Sequence, residues 1–321
     1  MIQWILPEEG TFYKANLHCH STVSDGKLSP EQLVEFYQSH GYSVLAITDH
    51  DVTTDRSALN REDFLVLQGY EASHHSATDR GRSVHIGMIA TTPDCIMPPR
   101  TTFAVGEYGD KNFSDGVNEM IRRGRDRGFL PIYNHMRWSL DTEEDLFSYE
   151  GLYGMELFNH FSEVLGIEEY NLSPWLNALR RGKRMFGIMA DDNHNIPAIP
   201  SVQLTQIDPM DLSCGGWICI KAPELTYSAV ISALQQGNFY SSCGPVIESL
   251  CLEDGVLHIK CSPAGSIAVS TAKRKGFSCW SKTETFTEAH FTLRGDEEFL
   301  VVTVTDRQGK KAVSNPFFLE S

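Results

Sequence analysis

The segment Lys14-Ala15-Asn16-Leu17-His18-Cys19-His20-Ser21-Thr22-Val23-Ser24-Asp25-Gly26 decides how the rest of the chain is read. Lys14 to His18 has the pattern of a strand. Two histidines at i and i+2 at a strand end project to the same side, so both can reach one ion. Asp25, a short loop later, adds a carboxylate. Imidazole and carboxylate together suit Zn²⁺, Mn²⁺ or Fe²⁺.

The same arrangement returns further along. Ser29-Pro30-Glu31 starts a helix with Ser as cap and Pro at the first helical position. The apolar strand Ser43 to Thr48 follows, with Asp49 and His50 just past its carboxyl end. Glu71 follows a strand at 64–70, His135 one at 129–134, and Asp192 and His194 one at 184–190. His85 is the exception, because it lies early in the strand at 83–90. Further strands are expected at 152–158 and 217–221, and helices at 115–127, 173–182 and 226–236. Strand–helix alternation of this kind predicts a parallel α/β sheet or barrel, whose carboxyl-end face gathers the site.

After about residue 243 the pattern changes to short alternating runs with turn residues, such as Asp254-Gly255. Residues 246–321 read as a small all-β, sandwich-like unit. The expected division is 1–243 for a hydrolase barrel and 244–321 for the β-unit.

The 321 residues carry 27 Lys and Arg against 42 Asp and Glu, a formal charge of −15. That balance argues against extended nucleic-acid binding and against anionic membrane surfaces. It leaves room for a small phosphorylated substrate, since bound metal ions supply positive charge locally. No stretch has the length and apolarity of a membrane span, and the amino terminus lacks the pattern of a signal peptide, so a cytoplasmic location is expected. The eight cysteines show no CxxC and read as reduced thiols. Ten of the twelve histidines lie in residues 18–194. His40, His74, His258 and His290 read as ordinary surface or core residues.

These segments resemble the PHP superfamily, named for polymerase and histidinol phosphatase domains. The resemblance rests on Asn16 to Gly26, Leu45 to Asp51, Gly69-Tyr70-Glu71, Val84-His85-Ile86-Gly87, Asn134-His135 and Asp192-Asn193-His194, and spans about residues 12–243. It implies a distorted seven-stranded β/α barrel with two or three divalent ions, Mn, Zn or Fe. His18, His20, Glu71 and Asp192 would surround one ion. Glu71 would bridge to a second held by His85 and His135, and Asp25, His50 and His194 would hold a third. Asp191 is an alternative to Asp192, because this chain reads Asp191-Asp192-Asn193-His194 where the family often has Ser-Asp-Ala-His. Met136-Arg137 also replaces the Pro that often follows the histidine corresponding to His135.

The implied activity is that of a stand-alone phosphoesterase acting on a phosphate mono- or diester of a small metabolite, a nucleotide or sugar phosphate. Clustered divalent ions make hydroxide available near neutral pH for in-line attack on phosphorus. The alternatives are a metal-dependent hydrolase of a carbamate, ester or amide, and a metal-loaded non-catalytic binding module. Arg137 is a candidate phosphate clamp and His160 a candidate general acid, each weighed against a structural role. Asp49, next to His50, is a candidate for orienting a ligand without binding metal itself. Arg80 and Arg82 belong to a loop between Glu71 and His85 and are candidates to line the site, with solvated charges the simpler reading; His75 belongs to the same loop and carries the same two readings. Loops around 72–83, 92–113, 136–150 and 193–213 are expected to set specificity.

Overall fold

The computed structural model describes residues 2–76, 81–96, 113–196, 208–274 and 276–319. The chain folds as α/β, with one large sheet, one small sheet and a few helices. In order, the elements are β1 (Ile2–Trp4), β2 (Thr11–Asn16), α1 (Pro30–Ser39), β3 (Val44–Ile47), β4 (Leu65–His75), β5 (Ser83–Ala90), α2 (Phe113–Asp126), β6 (Phe129–Tyr133), α3 (Glu143–Ser148), β7 (Gly154–Asn159), α4 (His160–Val164), α5 (Leu172–Arg180), β8 (Phe186–Ala190), β9 (Trp217–Ala222), α6 (Tyr227–Gln236) and β10 (Phe239–Ser242). Then follow β11 (Ile247–Glu253), β12 (Val256–Ala264), β13 (Ser266–Ser270), β14 (Phe277–Trp280), β15 (Phe286–Thr292), β16 (Phe299–Thr305), β17 (Lys311–Ser314) and β18 (Phe317–Phe318).

The start of α1 shows how local chemistry sets the elements. Ser29 Oγ accepts from the Gln32 backbone N–H, and the Gln32 side chain accepts from the Ser29 N–H, with Pro30 opening the helix. Leu33, Val34 and Tyr37 then face inward, as the helical spacing of apolar residues requires. The strands β3 and β5 are buried along their whole length, and β3 reads as a continuous apolar run rather than an alternating one.

The large sheet runs β14-β13-β16-β17-β10-β9-β2-β3-β4-β5-β6-β7-β8, with β18 beside β16. Pairing is parallel at β2/β3, β3/β4, β6/β7 and β7/β8. It departs from the expected parallel order at β9, which is antiparallel to β2, and at β5, which is antiparallel to both β4 and β6. At β5 the cause is the connection: only residues 76–82 separate β4 from β5. A parallel crossover needs a dozen or more residues, so so short a link returns the chain as a hairpin. β4 is also longer than expected. Residues 71–75 continue the strand because β5 supplies ladder partners, Glu71 opposite Gly87 and His75 opposite Ser83.

Just past β2, Cys19 bridges Asn193 just past β8, and the His20 N–H donates to the Asn193 carbonyl at 3.0 Å. The run from β2 to β8 therefore returns to its start at the end that carries the His18-Cys19-His20 segment. Ala15, Val44, Leu67, Ile132 and Ile188 of this run pack with Ile218 of β9 in one apolar cluster.

Beyond β10 the described residues form antiparallel strands. β11, β12 and β15 make the small sheet together with β1 from the amino terminus, where Gln3 pairs with Leu252. β13, β14, β16 and β17 extend the large sheet through the β17/β10 pair. Leu257 and Ile259 of the small sheet pack with Ile267, Val302 and Val304 of the large one. Among the described residues no helix is long and apolar enough to cross a membrane.

Candidate metal centre

His18 and His20 sit in a stretch pinned from both sides. The Asp192 N–H donates to the His18 carbonyl at 2.9 Å, and the Thr48 N–H donates to the Cys19 carbonyl at 2.8 Å. Both imidazoles are buried. The following loop is held by Asp49, which accepts from the Ser21 N–H at 2.7 Å and from the hydroxyls of Ser21 and Ser24 at 2.8 and 2.9 Å. Arg56 pairs with the same carboxylate. Asp49 thus fixes the loop that delivers Asp25, one of the expected ligands. Gly26 closes that loop: a Cβ there would lie 2.2 Å from the His20 carbonyl oxygen, so no larger residue fits.

All nine side chains expected as ligands converge. Glu71 is at the centre. Its Oε1 lies 3.2 Å from His18 Nε2, 3.2 Å from His135 Nε2 and 3.3 Å from His85 Nδ1. Its Oε2 lies 3.1 Å from His50 Nδ1 and 3.5 Å from His20 Nε2. Asp192 Oδ1 lies 3.1 Å from both His18 Nε2 and His20 Nε2. Asp25 stands at the open side, 3.4 Å from His194 Nε2, 3.7 Å from His50 Nε2 and 3.6 Å from His20 Nδ1. Donor atoms fall within 4.8 Å of one another in four overlapping groups: His20, Asp25, His50 and His194; His18, Glu71 and His135; His18, His20 and Asp192; His50, Glu71 and His85.

His85 joins the others because β5 runs antiparallel. Its amino-terminal end lies at the same edge as the carboxyl ends of β4 and β6, and the His85 carbonyl accepts from the Asn134 N–H at 3.1 Å. The exception noted in the sequence is thereby removed.

The donor set fits cations. Buried His85 Nε2 has no hydrogen-bond partner, and His20 Nδ1, His85 Nδ1 and Glu71 Oε2 meet only other expected ligands, without hydrogen-bond geometry. Leaving buried polar atoms unpaired costs roughly 1–3 kcal/mol each, a cost that coordination would remove. His135 and Asp192 also hold backbone φ of 23° and 54°, a left-handed region that non-glycine residues seldom occupy. Observed strain of this kind concentrates where a side chain must be aimed.

The electrostatics follow from crowding. Burial alone would lower the pKa of His18, but Asp192, Glu71 and Glu156 outweigh it and hold the imidazole well above its ordinary value. Burial also works against His135, yet Glu71 and Asp192 push it up to about 9. His20 is lowered to about 4 by burial and by His194, and His85 to about 4 by burial, which Glu71 only partly offsets. Burial opposes ionisation of Glu71 and Asp192, but the surrounding histidines hold both carboxyls well below the usual carboxylate range.

Asp191 lies outside the cluster. It accepts from the backbone N–H groups of Cys214, Gly215 and Gly216 at 2.8, 2.9 and 2.9 Å, and from the Tyr37 hydroxyl at 2.8 Å. Its four partners make it an anchor for the segment before β9, and Asp192 is the carboxylate that faces the histidines.

Neither His160 nor Arg137 is among the residues that line the cavity over the cluster. His160 Nε2 lies 2.8 Å from the Asp211 carbonyl oxygen, and its ring packs so closely on Gly215 that a Cβ there would be 2.1 Å away. Arg137 is exposed, and its backbone N–H donates to Glu169 at 2.9 Å. Arg82 is not a solvated loop charge. It pairs with Asp141 at 2.6 Å and Asp145 at 2.7 Å and lies over the Phe113 ring. His75 Nδ1 meets Ser83 Oγ at 2.7 Å. Arg80 lies outside the described residues.

A cavity of about 240 Å³ opens over the cluster. Its apolar wall is Trp138, Phe161, Leu165 and Ile196. The Trp138 ring is 4.8 Å from His135 and 5.0 Å from His85, while Phe161 stacks on His194 at 4.9 Å.

Sequence reasoning missed Glu156. It is buried in β7, with Oε1 2.7 Å from His18 Nδ1 and Oε2 accepting from the His135 N–H at 2.8 Å and from Asn159 Nδ2 at 2.9 Å. The available signal was a carboxylate inside the apolar run Gly154-Met155-Glu156-Leu157-Phe158, since a buried charge needs a partner. Asn134, whose Nδ2 donates to Glu71 Oε1 at 2.7 Å, acts similarly from the end of β6.

Residues 16–171 match the PHP domain. A stretch of 77 residues is 39% identical to a 5'-3' exoribonuclease of Haemophilus influenzae, covering 23% of this chain and 27% of that protein. A stretch of 75 residues is 40% identical to a phosphoribosyl 1,2-cyclic phosphate 1,2-diphosphodiesterase of Eggerthella lenta, covering 22% and 28%. The chain thus spans little more than a quarter of the length of these curated relatives. A two-domain protein from Bacteroides vulgatus, described as containing a PHP-like metal-dependent phosphoesterase, aligns over 99% of this chain and 97% of its own at 14% identity and a TM-score of 0.43. Seven of the nine converging side chains, from His18 to His135, lie within residues 16–171, and that segment of the chain is a PHP domain.

Proposed function

We propose that the chain is a metal-dependent phosphoesterase that hydrolyses a phosphate mono- or diester of a small metabolite, such as a nucleotide or sugar phosphate. The observation that carries this reading is the convergence of nine imidazole and carboxylate side chains around buried donor atoms without hydrogen bonds. In this reading His18, His20, Glu71 and Asp192 hold one divalent ion, Glu71, His85 and His135 a second, and Asp25, His50 and His194 a third. When bound, the ions supply Lewis acidity and a hydroxide nucleophile near neutral pH.

The chain's own residues prepare the donors. Glu156 accepts the His18 Nδ1 proton, which leaves the Nε2 lone pair facing Glu71 and Asp192. The Asp192 carbonyl accepts the His194 Nδ1 proton at 2.9 Å, which leaves Nε2 facing Asp25. Asn134 fixes Glu71 in position to serve two groups at once. Trp138, Phe161 and Leu165 exclude water from one side of the cavity and offer an apolar surface to the leaving group. The diesterase name of the Eggerthella relative agrees with a phosphate ester as substrate.

The finer architecture belongs to the same proposal. The run β2 to β8 is taken as the distorted seven-stranded barrel of a hydrolase unit over residues 1–243. Residues 244–321 are taken as a small sandwich-like β-unit.

The test is a Mn²⁺-loaded preparation run against phosphate mono- and diesters beside carboxylic esters and carbamates. Hydrolysis of phosphate esters, abolished by Asp192→Ala, is expected. Turnover of carbamates or carboxylic esters alone would replace the proposal with the other hydrolase class. A metal-loaded chain inert on all of them would leave a binding module.

A further inference from the structure

Within an acidic chain one segment has the opposite character. Arg180-Arg181-Gly182-Lys183-Arg184 places four cations in five residues, at the turn between α5 and β8. The turn borders a cavity of about 510 Å³, closed on its other side by Phe147 and the stretch Tyr149 to Leu152 before β7. β7 and β8 are parallel, and Asp192 follows the far end of β8. The cavity therefore lies at the opposite edge of the sheet from the metal centre, roughly 15–20 Å away at about 3.3 Å per strand residue.

The cations here are positioned. The Arg181 guanidinium lies 3.9 Å over the Phe147 ring, and that of Arg184 lies 3.9 Å over Phe318. Arg125 of α2 comes in beside Gly151, where a Cβ would be 2.3 Å from its Nη1, so the approach requires glycine at that position. Lys183 Nζ donates to the Tyr149 carbonyl at 2.7 Å and lies 3.1 Å from Glu150. Among the described residues, Arg125, Arg181 and Arg184 form no ion pair. A guanidinium held over a ring, with no carboxylate partner, keeps N–H groups available for the fork-shaped contact that phosphate accepts.

We propose that this cavity is a second anion site, separate from the metal centre, for a small molecule bearing two or more phosphate groups. Two guanidiniums, Arg181 and Arg184, and the Lys183 ammonium line the cavity with one carboxylate, Glu150, which is largely exposed, and Arg125 adds a third guanidinium beside Gly151. A single phosphate leaves that excess unmatched, whereas linked phosphates meet it. The volume is that of a small-molecule pocket. The net charge of −15 opposes an extended polyanion running beyond the patch.

The test is calorimetric titration of the full chain with inorganic pyrophosphate, and separately with ADP. Saturable binding is expected, weakened at least tenfold in Arg181→Gln/Arg184→Gln and partly regained in Arg181→Lys/Arg184→Lys. Asp192→Asn at the metal centre should leave that binding unchanged, which separates this proposal from the phosphoesterase reading. Tighter ADP than pyrophosphate would identify a nucleotide as the source, and equal affinities the inorganic ion. Should the double variant fail to fold, Arg184→Gln alone serves, with thermal unfolding as the check. Three results would each overturn the proposal: no binding by the wild-type chain, binding lost in Asp192→Asn but kept in the arginine variant, or preference for a single-stranded oligonucleotide over pyrophosphate.

Discussion

Replacing Glu156 by Gln tests whether the centre depends on a residue that touches no substrate. The two side chains have the same shape, so the effect comes from one oxygen becoming an NH₂. Glu156 Oε2 accepts two hydrogen bonds, at 2.8 and 2.9 Å, and Oε1 accepts one from His18 at 2.7 Å. With the glutamine NH₂ placed toward His135 N–H and Asn159 Nδ2, donors face donors, at about 1–3 kcal/mol for each buried group left unpaired. The amide therefore turns the other way, with NH₂ toward His18 Nδ1. His18 must then carry its proton on Nε2, the atom that faces Glu71 and Asp192 at 3.2 and 3.1 Å. Changes to such supporting contacts typically cost 10–100-fold in metal affinity, or about 1.4–2.7 kcal/mol. The assay is Mn²⁺ titration of chelator-treated protein by calorimetry, with thermal unfolding as a control for folding. A folded Glu156→Gln variant that binds Mn²⁺ as tightly as the wild type would refute the reasoning.

Asp192→Asn should lose metal and hydrolysis together, whereas Asp191→Asn should keep metal stoichiometry and lower the unfolding temperature, because Asp191 anchors three backbone N–H groups; metal analysis and calorimetry of both variants decide it. Arg82→Ala leaves the buried carboxylate of Asp141 without its cation and should destabilise the fold by about 3 kcal/mol without changing metal content, measured by denaturant unfolding. Metal loading at pH 7 should release protons. His135 is pushed up to about 9 by Glu71 and Asp192 and so carries a proton at pH 7 in the metal-free chain, and His18 is shifted in the same direction, while ligation needs both neutral. Affinity should accordingly rise with pH through this range, and titration in buffers of different ionisation enthalpy should show the release; affinity independent of pH would contradict it.

The ligand types were legible because each is a polar residue at a strand end or early in a strand, a pattern that packing alone does not produce. His18, His20, His50, Glu71, His135, Asp192 and His194 all come to one edge of the sheet. Strand direction was less legible. The residues of β5 are those of any buried strand, and its reversal is encoded only in the shortness of residues 76–82. Glu156 stayed hidden because nothing local marks which buried carboxylate supports a histidine 138 positions earlier. His160 looked catalytic from its place after β7, yet the turn at Gly215 packs against its ring. Arg82 looked solvated because its partners, Asp141 and Asp145, lie on a different connection. In each case the sequence identifies the chemical group, and a tertiary partner decides its use.

The central claim is that these nine side chains form a metal centre. The most direct measurement is elemental analysis of the purified chain after reconstitution with Mn²⁺, Zn²⁺ or Fe²⁺ and removal of free ion. Two or three ions per chain are predicted, falling in Asp192→Ala. A folded wild-type chain that retains none of the three metals would contradict the account.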